Sequence, residues 1–334
     1  MLDTGTDARA RILEMLYVNS DREVSGEDIA RAIGISRAAV WKHIEAMRAK
    51  GLDIRSSTKK GHRLFPGADP LHPFLITSDL RTREMGKAIV LLETTGSSND
   101  EARALANKGA AHGTTVVAEE QRTGKGRLGR AWVSPKGGVW MSVVLRPRLA
   151  PSKVSAITLV TGLAVARAVE KATDGKLSPL IKWPNDLLID GKKVCGILTE
   201  LDAEMDRLNF IIIGIGLNAN FKASRLPEEV RKKAITLAEV MGSDVPRVPL
   251  IRAMLEEMEK AIDAFVASGG ELGPMREEMK KRSALLGRRV RISDPGGTTP
   301  VEGKAVDIRG DGALVIEVSG FWKVPVISGS VEML

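Results

Sequence analysis

The chain has 334 residues, a formal net charge of +8 and 43% apolar residues, enough for two or three domains with a core that must be largely aliphatic, since only 4% are aromatic. The single cysteine, Cys195, excludes an intramolecular disulfide framework, fits a reducing compartment and reads as a small buried hydrophobe. The longest apolar run, 208–217, contains Asn209 and two glycines and is too short to cross a bilayer, and no N-terminal hydrophobic leader is visible, so a cytoplasmic protein without a membrane partner is expected.

Residues 8–65 carry the pattern of a winged helix-turn-helix, and a domain is placed at 1–65. Ile12, Leu13, Leu16 and Tyr17 form a helical stripe. Ser25 and Asp28 start a capped helix, Gly34 supplies the turn, and Ser36 caps the next helix, where Val40, Ile44 and Met47 share one face and Arg37 and Lys42 point elsewhere. Gly51 closes that helix. Residues 52–54 and 63–65 read as short strands around the basic wing tip Lys59-Lys60-Gly61. Between Arg37 and Arg63 eight cations face two acids, a local charge of +6, which fits a major-groove helix with a phosphate-contacting wing. Ser36, Arg37, Lys42, His43, Lys59 and Lys60 are the candidate DNA contacts. Trp41 is assigned to a core or an interface rather than to base reading. A winged helix used for protein contacts is the alternative.

Residues 66–72, with Pro66-Gly67-Ala68-Asp69-Pro70, read as a linker. The central domain is placed at 73–283 and alternates the two periodicities. Ser98 and Glu101 suggest a capping box for a helix to Lys108. Helices are expected at 154–173 and 251–267. Strands are expected at 89–93, 115–119, 139–146, 180–182, 187–189, 194–201 and 209–216, giving an α+β domain with a mixed or antiparallel sheet.

Two segments of this domain carry the chemistry. Gly124-Lys125-Gly126-Arg127-Leu128-Gly129-Arg130 packs three glycines and three cations into seven residues. Its glycines satisfy G-x-G-x-x-G, but turn residues and a strand follow instead of a helix, which argues against a dinucleotide site. A Walker loop fails because Glu119 and Gly126 stand where Gly and Ser or Thr are needed, and Ala131 replaces the valine of a kinase loop. What remains is a basic loop between two strands, suited to wrapping phosphate with backbone N–H groups and charge, or else a solvated hairpin. Lys182-Trp183-Pro184-Asn185-Asp186 places a cation and a carboxylate around a turn. The carboxylate can carry the Mg²⁺ that accompanies ATP, and the alternative is a strand end that packs its Trp. His43, His62, His72 and His112 form no ligand cluster, so no structural metal is expected.

The tail, 284–334, has short strands at 287–292, 301–308 and 313–318, with turns at 294–297 and 309–312. It reads as a small SH3-like barrel.

The residues Ser97-Ser98-Asn99, Gln121, 124–130, 182–186, Lys193-Val194-Cys195-Gly196-Ile197-Leu198 and Gly214-Ile215-Gly216-Leu217-Asn218 resemble, in order and spacing, the bifunctional biotin protein ligase and biotin operon repressor family. The resemblance spans all three modules. It implies a central ligase domain of class II synthetase type, which forms biotinyl-5′-AMP and pyrophosphate from biotin and ATP and then passes biotin to a lysine. It further implies Arg127, Lys182, Asp186 and Lys193 as catalytic residues. Ser97, Ser98, Asn99, Gln121, Lys125, Gly126, Arg127, Lys193 and Gly196 would hold biotin, and Gly124, Arg130, Trp183, Asn185 and Asn218 would hold ATP. Asp186 would serve Mg²⁺. The two glycines before Asn218 would let the backbone approach adenine closely. The implied partners are the biotin carboxyl carrier protein of acetyl-CoA carboxylase, operator DNA, and a second copy in a ligand-linked homodimer. Lys192 adjoins Lys193, so the register of the catalytic lysine is open by one residue. Three departures stand out: Ser98 for a threonine, Lys125 and Leu128 for arginines, and Ala234 where some members stack a Trp on adenine. Competing readings are a biotin sensor that does not ligate and a lipoate or octanoyl ligase of similar fold. Gln121, Ser98 and Asn99 suit a polar bicyclic head better than a long alkyl tail.

Overall fold

The computed structural model describes residues 4–49, 52–57, 60–65, 69, 71–204, 207–293 and 300–334. Gly51, Lys59, most of the 66–70 linker and the 294–297 turn lie outside the described residues. Two compact units are present, Met1–Asp79 and Leu80–Leu334.

In the first unit, α1 (Thr4–Val18), α2 (Gly26–Ile33) and α3 (Arg37–Arg48) surround a core of Ile12, Leu13, Leu16, Ile29, Val40 and Ile44. The polar residues between them set the helix ends. Ser25 accepts from Glu27 N at 3.2 Å, and Ser36 accepts from Ala39 N at 3.1 Å. Gly34, at φ 78°, closes α2 with its N–H on the Ala30 carbonyl. The wing is β1 (Ile54–Ser57) paired antiparallel with β2 (Gly61–Leu64), so its first strand runs beyond the expected 52–54. Leu52 N instead bonds back to Met47 O and finishes the turn after α3. The short α4 (Pro73–Thr77) also belongs to this unit: Phe74 stacks edge-on to Tyr17 at 6.0 Å, and Tyr17 Oη donates to Asp79 at 2.8 Å.

The second unit is built on a seven-stranded sheet. Its strands are β3 (Ile89–Leu92), β4 (Thr115–Ala118), β5 (Val139–Leu145), β6 (Leu180–Lys182), β7 (Asp186–Ile189), β8 (Lys192–Glu204) and β9 (Arg207–Leu217). The order is β3-β4-β5-β9-β8-β7-β6; β3 and β4 are parallel and every other pair is antiparallel, the mixed sheet expected. Helix α5 (Ser98–Asn107) precedes β4, and α6 (Ile157–Ala172) precedes β6. Buried residues lie all round α6 because it is packed between the sheet and the later helix at Arg247–Ala267. The short α7 (Glu228–Arg231) and α8 (Leu237–Met241) lead into α9 (Arg247–Ala267), which starts before the expected residue 251, and then α10 (Met275–Lys281).

The C-terminal strands are β10 (Arg289–Ser293), β11 (Val301–Ile308), β12 (Leu314–Val318), β13 (Trp322–Val326) and β14 (Ser330–Met333), all antiparallel in the order β13-β12-β11-β10-β14. This is the small β module expected from the turn spacing. Its last two strands have weaker signals. Pro325 interrupts β13, which the fold tolerates because β13 is an edge strand.

Candidate active site

The basic loop joins β4 to β5 and is pinned at its base. Gln121 N bonds to Ser134 O at 3.1 Å, Trp132 N to Gly124 O at 2.8 Å, and Gly126 N to Arg130 O at 2.7 Å. The tip turns through Leu128 and Gly129, both at positive φ. Arg127 therefore points from a narrow paired ribbon rather than from a loose loop. Its Nη1 donates to Asn185 Oδ1 at 2.9 Å. Burial lowers the guanidinium pKa, while Asp186 opposes that shift.

The expected capping box at Ser98 is not formed. Ser97 is the N-cap residue and makes no side-chain cap bond, while Glu101 accepts from Thr95 Oγ1 at 2.8 Å. Ser98 instead enters a buried relay. Ser142 Oγ donates to Asn99 Oδ1 at 2.6 Å, so the 2.7 Å contact between Ser98 and Ser142 must be donated by Ser98. Asn99 Nδ2 donates to Glu200 at 2.8 Å. The Ser98 oxygen is left as an acceptor. Gln121 is used at both ends, accepting from Ser98 N and donating to Ser134 Oγ, each at 2.8 Å. It positions α5 and keeps one amide N–H and one lone pair beyond these bonds.

Residues 182–186 turn between β6 and β7, with Lys182 opposite Asp186. Trp183 is buried and its Nε1 donates to Gly312 O at 3.0 Å, which ties the turn to the C-terminal strands. Asn185 donates to Ile197 O at 3.0 Å while it holds Arg127. A register shift between β7 and β8 pairs Leu187 with Cys195 and Leu188 with Lys193. It resolves the adjacent lysines: Lys192 is exposed, whereas Lys193 Nζ lies 2.6 Å from Asp186 Oδ1 and 4.9 Å over the Trp132 ring. The Asp186–Lys193 pair is close but poorly directed, so among the described residues the buried Asp186 Oδ1 accepts no hydrogen bond; Trp132 Nε1 likewise donates to none of them. Burial pushes the Cys195 thiol up and leaves it inert.

The paired glycines have a packing role. A Cβ on Gly214 would stand 2.1 Å from Asn99 Oδ1, and one on Gly216 would stand 2.4 Å from Trp132 Nε1. Their absent side chains admit Asn99 and Trp132 onto the sheet. Asn218 is buried and donates to Ile235 O at 3.1 Å, tying two backbone segments together. Ala234 lines a cavity and packs with Trp140, Phe221 and Leu226.

Two cavities meet here. The larger, about 580 Å³, is reached by Arg130, Lys182, Trp183, Asp186, Asn218 and Ala234. The smaller, about 50 Å³, is lined by Ser97, Ser98, Asn99, Gln121, Lys125 and Gly196. Gly126, Arg127, Trp132, Asn185 and Lys193 line both. Lys125 is paired with Asp100 at 2.6 Å. Gly124 lies outside both linings; a Cβ there would stand 2.4 Å from Trp132 O, so it serves the loop base. Trp132, Ser142 and Glu200 were not singled out in the sequence, although a Trp inside a Gly-rich segment is a signal that was available.

Residues 9–63 match an HTH domain, 94–218 the Biotin/lipoate A/B protein ligase family, and 285–334 the Biotin protein ligase C terminal domain. The bifunctional ligase/repressor BirA of Bacillus subtilis is 36% identical, with 93% of this chain and 94% of the relative covered. The chain belongs to this ligase/repressor family. The BirA of Escherichia coli is 30% identical over 92% of each chain. Among solved structures, the Aquifex aeolicus biotin protein ligase in complex with biotin and ATP superposes with a TM-score of 0.64 at 28% identity, covering 74% of this chain and 99% of that one.

In the N-terminal unit, Ser36 caps α3, and Arg37, Lys42 and Lys60 are exposed. His43 is half-buried and accepts from Arg9 Nε at 3.4 Å, and burial, Arg9 and Lys42 lower its pKa. Trp41 is not in a core: it is 61% exposed on α3. Among the described residues no helix is long and apolar enough to cross a membrane, and no cluster of metal-ligating side chains occurs.

Proposed function

We propose that this chain activates biotin with ATP to biotinyl-5′-AMP, transfers biotin to a lysine of the biotin carboxyl carrier protein of acetyl-CoA carboxylase, and represses transcription through its N-terminal unit. The observation that carries the reading is the junction of a small polar pocket and a large cationic cavity at Arg127, Asn185 and Lys193. Adenylation brings a carboxylate against a phosphate. Fixed cations at the meeting point offset that repulsion and the charge that develops at phosphorus. Lys193 and Arg127 occupy the junction, and Lys182 lines the nucleotide side. The Ser98 oxygen, left as an acceptor by its relay, suits a ureido N–H. Arg127 and the tip of its ribbon would cover the adenylate and keep water from a hydrolysable anhydride. Trp132 offers an aromatic wall in the cavity where Ala234 cannot stack a base.

A single carboxylate whose buried oxygen meets a lysine ammonium but accepts no directed hydrogen bond among the described residues fits Mg²⁺ brought by ATP, since this ion keeps substrate phosphates and water and takes only one or two carboxylates. Asp186 would hold it, where it would neutralise phosphate charge. Asp186 also orients Lys193.

Mass spectrometry of the acceptor domain after incubation with biotin and Mg-ATP tests the reading. A single biotin adduct on one lysine is expected. No adduct and no biotin-dependent pyrophosphate exchange would leave a sensor. Exchange supported by lipoate or octanoate in preference to biotin would leave the other ligase. We further infer that adenylate favours a homodimer and tightens operator binding, by coupling of ~1–3 kcal/mol. Operator affinity and sedimentation at fixed salt, with and without biotin and ATP, check this; equal values in both conditions exclude the switch.

A further inference from the structure

We propose that a third cavity, about 140 Å³ between α6, β8 and the turn before β12, is the channel through which the acceptor lysine reaches the adenylate. This rests on the ligase reading and adds to it a route for the second substrate. Arg127 and Asn185, joined at 2.9 Å, line this cavity as well as the other two. Besides its carbonyl oxygen, the acyl carbon of a mixed anhydride bears two groups that are already committed, the biotin chain to the small pocket and the phosphate to the large one. A nucleophile must approach from a third direction. The third cavity shares Arg127 and Asn185 with that junction and extends from them toward α6 and the turn before β12.

Its lining suits a lysine. Leu159, Ile197 and Ala313 offer apolar wall to four methylenes. Thr158 Oγ1 and Thr199 Oγ1 bond each other at 2.8 Å partway along, and their remaining lone pairs can accept from an amine. The volume holds one unbranched side chain and is far too small for a nucleotide. At the mouth stand Ser155, which is exposed, and Ile327, which is 73% exposed beyond β13. Ser155 Oγ donates to Asp311 O at 3.1 Å and holds the rim.

In the step itself the acceptor ammonium first loses a proton to water. The neutral amine then attacks the acyl carbon and the C–N bond forms. The acyl C–O bond to phosphate breaks and AMP leaves with the electron pair. The second amine proton passes to solvent.

The test separates adenylation from transfer in the full-length chain. Thr199→Leu fills the channel, and Ser155→Trp blocks the mouth from an exposed site at the loss of one rim hydrogen bond. For both, biotin-dependent pyrophosphate exchange should stay near that of the unmodified chain. Transfer to the carrier domain should slow by ~10–100-fold, the scale of a misdirected nucleophile. Cleavage of the retained adenylate by hydroxylamine, which is small enough to pass, should be little changed. Unimpaired transfer in both variants overturns the proposal. So does a parallel loss of exchange and transfer, because it would put this cavity in the adenylation site. Absence of exchange in the unmodified chain would instead defeat the ligase reading.

Discussion

Lys193→Ala separates a catalytic charge from a structural one. In the folded chain the Lys193 ammonium touches Asp186 at 2.6 Å and the Trp132 face at 4.9 Å, and its side chain is 31% exposed. A partly exposed pair of this kind contributes ~0.2–1 kcal/mol to folding. The cation–π contact adds ~0.5–1 kcal/mol. The variant should therefore remain folded, with a thermal midpoint lowered by a few degrees, on the order of 2–4 °C per kcal/mol for a unit of this size. Adenylation is another matter. Lys193 lines both cavities at their junction, where carboxylate and α-phosphate must meet. Removal of one such preorganised contact costs ~10²–10³ in rate, or about 2.7–4 kcal/mol of transition-state stabilisation. Biotin-dependent exchange of labelled pyrophosphate measures the step directly, with Lys192→Ala as the control because Lys192 is exposed. The expected pattern is a large loss for Lys193→Ala and little change for Lys192→Ala. Exchange by Lys193→Ala within a few-fold of the unmodified chain would refute the electrostatic argument, and the opposite pattern would return the role to Lys192.

Arg127→Gly removes the hydrogen bond to Asn185 and uncovers the junction, so biotinyl-AMP should escape and label lysines of bystander proteins. Adenylate retained as long as in the unmodified chain would show that Arg127 does not shield it. Gly214→Ala puts a Cβ 2.1 Å from Asn99 Oδ1 and must break the Ser98–Ser142–Asn99 relay. Overpacking of this kind costs ~1–3 kcal/mol, so both the thermal midpoint and biotin affinity by calorimetry should fall, and an unchanged biotin affinity would detach the relay from the pocket. Burial first, then the charges of Arg48 and Arg37, lower the pKa of His62 below 6.5, with Glu45 opposing. The unfolded wing then binds the proton more readily than the folded one. Its stability is complete above pH ~6.5 and declines as pH falls through the folded pKa. Hydrogen exchange of residues 61–64 in the full chain, corrected for intrinsic rate, should be faster at pH 5.5 than at 7.5, and His62→Gln should flatten that difference.

Much of the molecule is written in local sequence. The caps at Ser25 and Ser36, the stop at Gly34 and the stripe of Val40, Ile44 and Met47 define their helices because each acts within one or two turns. The basic segment 124–130 and the turn 182–186 declare their chemistry for the same reason, as charge and turn residues lie side by side in the chain. The family was legible because several such motifs recur in one order. What tertiary structure alone decided depends on residues far apart in sequence. Whether Lys192 or Lys193 faces Asp186 turns on a register shift between two strands, which local composition does not encode. The roles of Gly214 and Gly216 follow from what packs on them, Asn99 and Trp132, each delivered by another element. Ser98 reads locally as a helix cap, but a hydroxyl from β5 outcompetes the cap and turns it into a relay member. Trp41 reads as a core or interface residue by size, and the core is closed to it because the α3 face toward it is already filled by its neighbours. Even the three cavities converge at one hydrogen bond, between Arg127 and Asn185, whose partners are brought together only when the β4–β5 ribbon folds over the β6–β7 turn.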